Sequence, residues 1–282
     1  MPPTSSSFTP LNISTDDVPE WMGSFSISAA PNTDLWRKPP SRDTSTAPIL
    51  YTALRNPFIA AEVTVSADWE LEWDQGGLVI FAGAPPGQII AAPPALEVPS
   101  VVTLSLDDDS SATTSPSISE LSSPVSTPAQ TPSPNPVAQS QRQHDRPPPY
   151  VQPAPAAKWV KVGLEFCNNA CHATSVVANS DGADWSLSAL PPHHARRLDL
   201  RVKIERIGYA LWVWYEDEVL GWKKLREVTW FFWGVEDKAV RVGVYASRPA
   251  NFGISIYDRR HGGGQGVGAR NLCVDFEGLE IF

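Results

Sequence analysis

The stretch Lys158-Trp159-Val160-Lys161-Val162-Gly163-Leu164-Glu165-Phe166 constrains this chain more than any other. Val160, Val162, Leu164 and Phe166 fall on one side of an extended backbone. Trp159, Lys161, Gly163 and Glu165 fall on the other. Side chains of a strand alternate between faces, so this pattern predicts a half-buried strand of an antiparallel sheet. Asp74-Gln75-Gly76-Gly77-Leu78-Val79-Ile80-Phe81 reads as its neighbour. The outward row of the first strand carries an indole, an ammonium and a carboxylate in line. Those groups suit a surface that binds sugars or other polar ligands.

A long segment separates the two strands. Residues 84–157 hold 16 of the 28 prolines and no Trp or Phe, while all 11 Trp lie elsewhere. A Pro/Ser/Thr-rich stretch without large aromatics buries too little apolar surface to offset its ordering entropy. The sequence therefore predicts a disordered loop insert at 84–157 and a flexible tail at 1–19. It predicts one discontinuous domain made of 20–83 and 158–282, a usual size for a single large sandwich. The acidic run Asp107-Asp108-Asp109 and repeated Ser-Pro and Thr-Pro pairs make the insert a phosphorylation substrate or a solvated spacer.

Outside the insert, strand signals recur between turns. Trp21–Ile27 reads as a first strand, Asn32–Pro40 as a loop pinned by Trp36, and Phe58–Ala67 as a clear strand. After the insert come Ser175–Ala178, Leu198–Ile204, Tyr209–Val219, Val240–Ala246 and Leu272–Phe282. No segment sustains helical periodicity, and one turn is expected at Val235–Ala239. This is the signature of an all-β sandwich. Gly262-Gly263-Gly264-Gln265-Gly266 lacks the Lys-Ser/Thr and the strand-then-helix setting of a phosphate-binding loop.

Net charge is −9 and the isoelectric point is near 5.0. That argues against nucleic acid or an anionic membrane surface as partner, since both call for a basic patch. No apolar run reaches the length of a membrane span. Met1-Pro2-Pro3-Thr4-Ser5-Ser6-Ser7 does not read as a secretory signal. Three cysteines, an odd number, fit free thiols in a reducing compartment, so the expected location is the cytoplasm or nucleus.

Several segments taken in order are similar to a known family. They are Asp-Gln-Gly-Gly-Leu-Val-Ile (74–80), Trp-Val-Lys-Val-Gly-Leu-Glu (159–165), Ser-Val-Val (175–177) and Asp-Trp-Ser (184–186). Leu-Arg-Val-Lys-Ile-Glu-Arg (200–206), Trp222 with Leu225-Arg226-Glu227, and Val-Gly-Val-Tyr-Ala-Ser-Arg-Pro (242–249) extend the likeness. It resembles an uncharacterised fungal and bacterial family, domain of unknown function 1349, of the concanavalin A-like lectin/glucanase superfamily. The resemblance implies a jelly-roll sandwich of two curved antiparallel sheets. It carries no assigned activity. The insert departs from the family pattern, in which a short loop joins the two strands.

The candidate site follows from the outward rows. Gln75, Trp159, Lys161, Glu165, Asp184, Trp185 and Arg226 are expected to converge on the concave sheet face. Trp159 and Trp185 would stack on a carbohydrate or similar polar ligand, and the others would hydrogen-bond to it. The competing reading is an ion-pair ladder of Lys161, Glu165 and Arg226 with the tryptophans as packing. A glucanase-type hydrolase needs two carboxylates flanking the scissile bond. In an extended Asp68-Trp69-Glu70-Leu71-Glu72-Trp73-Asp74, the acids Asp68, Glu70, Glu72 and Asp74 share one face, so Glu70, Glu72 and Asp74 are the catalytic candidates. A third reading is a protein-interaction module with a phosphorylatable insert, to which the apolar run Trp230–Trp233 would contribute. Cys167-x-x-x-Cys171-His172 lacks a second ligand pair for zinc, and His193-His194 sits in an expected loop, so neither a metal nor another cofactor is expected.

Overall fold

The strands with the cleanest alternation of apolar and polar residues assemble into two antiparallel sheets. The computed structural model describes residues 7–87, 156–194, 197–250 and 270–282. Its larger sheet runs β1 (Phe8–Leu11), β5 (Ile49–Ala53), β14 (Val240–Ser247), β7 (Gln75–Ala82), β8 (Lys158–Cys167), β9 (Ala170–Ala178), β10 (Ala183–Ala189). The six-stranded sheet runs β13 (Gly221–Val228), β12 (Ala210–Asp217), β11 (Asp199–Ile207), β6 (Ala60–Ala67), β15 (Leu272–Ile281), β2 (Ser24–Ala29). A separate hairpin pairs β3 (Leu35–Lys38) with β4 (Arg42–Ser45). The chain is a jelly-roll sandwich of two antiparallel sheets, nearly all β. The described helical turns Thr15–Asp17 and Asp237–Ala239 are single 3-10 turns. None of the helices described is long and apolar enough to cross a membrane.

Core formation follows the alternation. Val63 and Val65 of β6, Val202 and Ile204 of β11, and Val274 and Phe276 of β15 face inward from one sheet. Leu78, Ile80, Val160, Val162, Leu164, Val242 and Val244 meet them from the other. Burying hydrocarbon of this kind stabilises by about 25 cal/mol per Å² removed from water.

The β7–β8 pair forms as expected, with Gln75 opposite Glu165 and Ala82 opposite Lys158. Gly77 faces Gly163 in that register. The backbones approach closely there. A Cβ on Gly163 would lie 1.8 Å from the Gly76 carbonyl oxygen, and one on Gly77 would lie 2.0 Å from that of Val162.

Two expectations need correction. The tail is not loose up to residue 19, because Phe8–Leu11 pairs with Thr52–Ile49 of β5 and Phe8 packs into the core. Nor is β8 half-buried, since all but its first residue and Phe166 are buried. The β3–β4 hairpin accounts for much of this, lying over the outward face of the larger sheet. Leu35 joins Ile49, Tyr51, Phe81, Trp159 and Tyr245 in a second apolar cluster there. Arg37 fixes the hairpin. It makes a two-pronged pair with Asp43 (2.7 and 2.8 Å) and donates to the carbonyls of Ala157 and Asn179, both at 2.8 Å. The segment Asn32–Pro40 is therefore a structural cover rather than a loop pinned by Trp36. Of the insert expected at 84–157, residues 88–155 lie outside the described residues, as does Gly262–Gly266 within 251–269.

Candidate functional site

The hairpin covers the outward face incompletely and leaves a cleft of about 450 Å³ over β7, β8 and β9. Its floor is Lys161, Glu165, Gln75 and Val176, and Asp34, Trp36 and Lys38 close one side. Trp73, Trp185 and Pro249 complete the rim. Trp73 is 47% exposed and Trp185 42%, so both indoles remain available to a ligand.

The floor is a prearranged polar network. The Lys161 ammonium donates to Asp34 Oδ1 at 2.9 Å and lies 5.4 Å from the centre of the Tyr245 ring. Glu165 Oε2 accepts from Thr174 Oγ1 at 2.7 Å and from Trp185 Nε1 at 3.1 Å. Burial pushes the Glu165 carboxyl above its ordinary value, against the opposing pull of Thr174, Trp185 and Lys161. Tyr245 OH donates to Gln75 Oε1 at 3.3 Å, and burial lifts the Tyr245 hydroxyl well above its usual value. Buried polar groups demand partners, and here they find them chiefly in one another.

Trp73 owes its position to the turn before β7. Its φ is +68°, a left-handed conformation that bulky residues seldom adopt. Neighbouring contacts over-determine it. Trp73 N donates to Phe166 O at 2.8 Å, and Phe166 N donates to Asp74 O at 2.8 Å. Asp74 is fully buried and pairs with Arg248 through two contacts of 2.9 and 2.7 Å. Its Oδ2 also accepts from Leu71 N at 2.9 Å. Strain held this firmly at a cleft rim is a reason to suspect function.

Of the seven residues expected to bind ligand, four meet in the cleft: Gln75, Lys161, Glu165 and Trp185. Trp159 is completely buried in the second apolar cluster and cannot stack on anything from solvent. Asp184 precedes Trp185 on β10, so strand parity turns it away from the cleft. It pairs instead with Arg226 of the opposite sheet at 3.5 Å. The acidic run separates as well. Asp68 and Glu70 are exposed, whereas Glu72 accepts from Cys167 Sγ at 2.9 Å and from Asn168 N at 3.1 Å. Asp74 is locked to Arg248. The chain turns there, so these acids share no face, and none of them lines the cleft.

Asp34, Trp36, Lys38, Trp73, Val176 and Pro249 were not expected in the site. Trp36 and Trp73 carried a signal, as lone tryptophans in polar turns. In the Trp230–Trp233 run, Phe231 and Phe232 are core residues while Trp233 is exposed. Burial first, and for Cys167 the neighbouring Glu72 too, pushes the Cys167 and Cys171 thiols up to about 11.

Fold and cleft together define a jelly-roll sandwich with a cleft on the outward face of its larger sheet. The family model described as a protein of unknown function (DUF1349) matches residues 16–123 and 150–259, and the chain belongs to that family. An uncharacterized protein of Emericella nidulans is 28% identical over 232 residues, covering 81% of this chain and 79% of its own length. A functionally unknown protein from Saccharomyces cerevisiae superposes with a TM-score of 0.54 at 14% identity, over 99% of this chain and 98% of that one. That likeness is one of fold. The GH43 protein BlXynB of Bacillus licheniformis matches with a TM-score of 0.46 at 10% identity, over 93% of this chain and 33% of its own.

Proposed function

We propose that the protein binds a carbohydrate, or a comparable polyhydroxylated ligand, in the cleft over β7, β8 and β9 without altering it. One observation carries this reading: three tryptophan side chains, Trp36, Trp73 and Trp185, stand around a floor of buried, already paired polar groups. A sugar ring offers C–H faces that pack on indoles and edge hydroxyls that need donors and acceptors. The cleft volume falls within the roughly 300–1,000 Å³ of small-ligand sites. Lys161 is paired with Asp34, and Glu165 with Thr174 and Trp185, before a ligand arrives, so binding orders little that is loose. A glycan array followed by calorimetry on the hits tests the reading. Trp185→Ala is expected to weaken binding about tenfold, or about 1.4 kcal/mol. No binding to any saccharide, or binding indifferent to both Trp185→Ala and Trp73→Ala, overturns it.

A second reading, hydrolysis of the bound glycan, is favoured by one feature. Glu165 and Asp34 bring two carboxyl groups to one cleft, and burial lifts Glu165 toward the protonated state a general acid needs. Release of reducing ends from β-glucans that disappears in Glu165→Gln supports it. No release, or release that persists in that variant, counts against it.

A further inference from the structure

A second cluster of chemically capable side chains lies at the β12–β13 turn and is separate from the cleft. Asp217, the last residue of β12, is fully buried. Its Oδ1 accepts from Val219 N at 2.8 Å and Leu220 N at 3.0 Å, capping the turn, and lies 3.1 Å from His193 Nε2. Its Oδ2 is buried with no hydrogen-bond partner among the described residues. His194 is 3% exposed, and its Nδ1 is likewise buried and unpartnered. Its Nε2 is 3.5 Å from Glu218 N, at the outer limit of a hydrogen bond. The donor atoms of His193, His194 and Asp217 lie within 4.8 Å of one another.

A turn cap explains Asp217 Oδ1. It does not explain two consecutive imidazoles gathered at the same carboxylate, or two orphaned polar atoms at one spot. Each orphan carries a desolvation cost that nothing among the described residues returns. A cation with an affinity for nitrogen and oxygen would return it.

We propose that His193, His194 and Asp217 form a binding site for a divalent transition-metal ion, zinc foremost. Two imidazole nitrogens and one carboxylate oxygen match the ligand preference of zinc. Calcium and magnesium instead take oxygen ligands. Donor atoms around a tetrahedral zinc lie about 3.4 Å apart, so the cluster needs only modest contraction. His193, with its side chain 40% exposed, has the freedom to supply it. Beside His194 opens a space of about 260 Å³, also bordered by Arg197, Arg201, Glu216 and Glu218, through which water can reach that imidazole. The ion would fasten the crossover between β10 and β11, which passes from one sheet to the other, onto the β12–β13 turn. Sequence reading finds no metal site because the third ligand is remote in the chain from the paired histidines.

The test uses the full chain without a polyhistidine tag, stripped by a chelator and titrated with Zn²⁺. One equivalent is expected to bind, and Tm to rise by roughly 5–10 °C at a hundredfold excess over Kd. Substituted Co²⁺ should give ligand-field bands without thiolate charge transfer. His193→Gln should abolish uptake and with it the Zn²⁺-dependent rise in Tm. Asp217→Asn, which keeps an oxygen for the turn amides, should also lose uptake. The proposal is overturned by absence of uptake, by uptake undiminished in His193→Gln, or by uptake lost instead in Cys171→Ser.

Discussion

The two faces of β8 are both buried, by opposite means. On the inner face Val160, Val162 and Leu164 meet the second sheet, and any hydrocarbon of the right volume satisfies that environment. On the outer face Lys161 and Glu165 are buried as deeply, yet each depends on named partners: Asp34, Thr174 and Trp185. The inner face needs volume and the outer face needs geometry. The proposed ligand would meet the side that already requires geometry.

Changes at five positions break or sharpen that contrast. The largest effect belongs to the backbone both faces share. Gly163→Ala drives a Cβ into the Gly76 carbonyl and should cost about 4 kcal/mol or more, read as lost soluble yield or a lowered denaturation midpoint. On the inner face, Leu164→Ala should cost about 2–5 kcal/mol while Leu164→Met costs under about 1.5, both by urea titration. Similar costs for the pair would deny that volume is what this face reads.

On the outer face, Lys161→Met preserves much of the side-chain volume but should still cost about 2–3 kcal/mol at neutral pH, since Asp34 and Glu165 lose their cation. The pH dependence has a definite sign. Burial raises the Glu165 carboxyl, so the native state takes up a proton at higher pH than the unfolded chain. Stability from this group is fully present below its unfolded value of 4.5 and is lost as pH rises through the raised native value. Glu165→Gln should therefore lose less stability than the wild type across that window, and equal slopes would refute the assignment. The smallest effect is expected for Arg226→Ala. Its partner Asp184 is mostly exposed, so the change should cost under about 1 kcal/mol and leave ligand affinity untouched, by thermal shift and calorimetry.

Much of this was legible in the chain. Period-two alternation places Gln75, Lys161 and Glu165 on one face of adjacent strands, and they do meet. Parity alone also separates Asp184 from Trp185, because consecutive strand residues point opposite ways. What alternation cannot report is what covers a face. Trp159 obeys the pattern and is nonetheless sealed under Leu35, because the β3–β4 hairpin reaches it from more than a hundred residues away. The acids of 68–74 alternate in sequence, but alternation has meaning only along an extended backbone, and the left-handed Trp73 ends that premise. Asp34 and Trp36 enter the cleft by tertiary placement, which no local period records.

The seam between β7 and β8 has one more consequence. Ala82 and Lys158 are register partners, Gly83 N is held by Ala239 O at 2.9 Å, and Ala157 O is held by Arg37. Gly83 and Ala157 are thus each moored to the sandwich itself. Two polypeptides, one ending after Gly87 and one starting at Ala156, contain every strand described and should reassemble when made together. In engineering terms the seam is a socket, where a reporter, a tag or a second domain can be fitted.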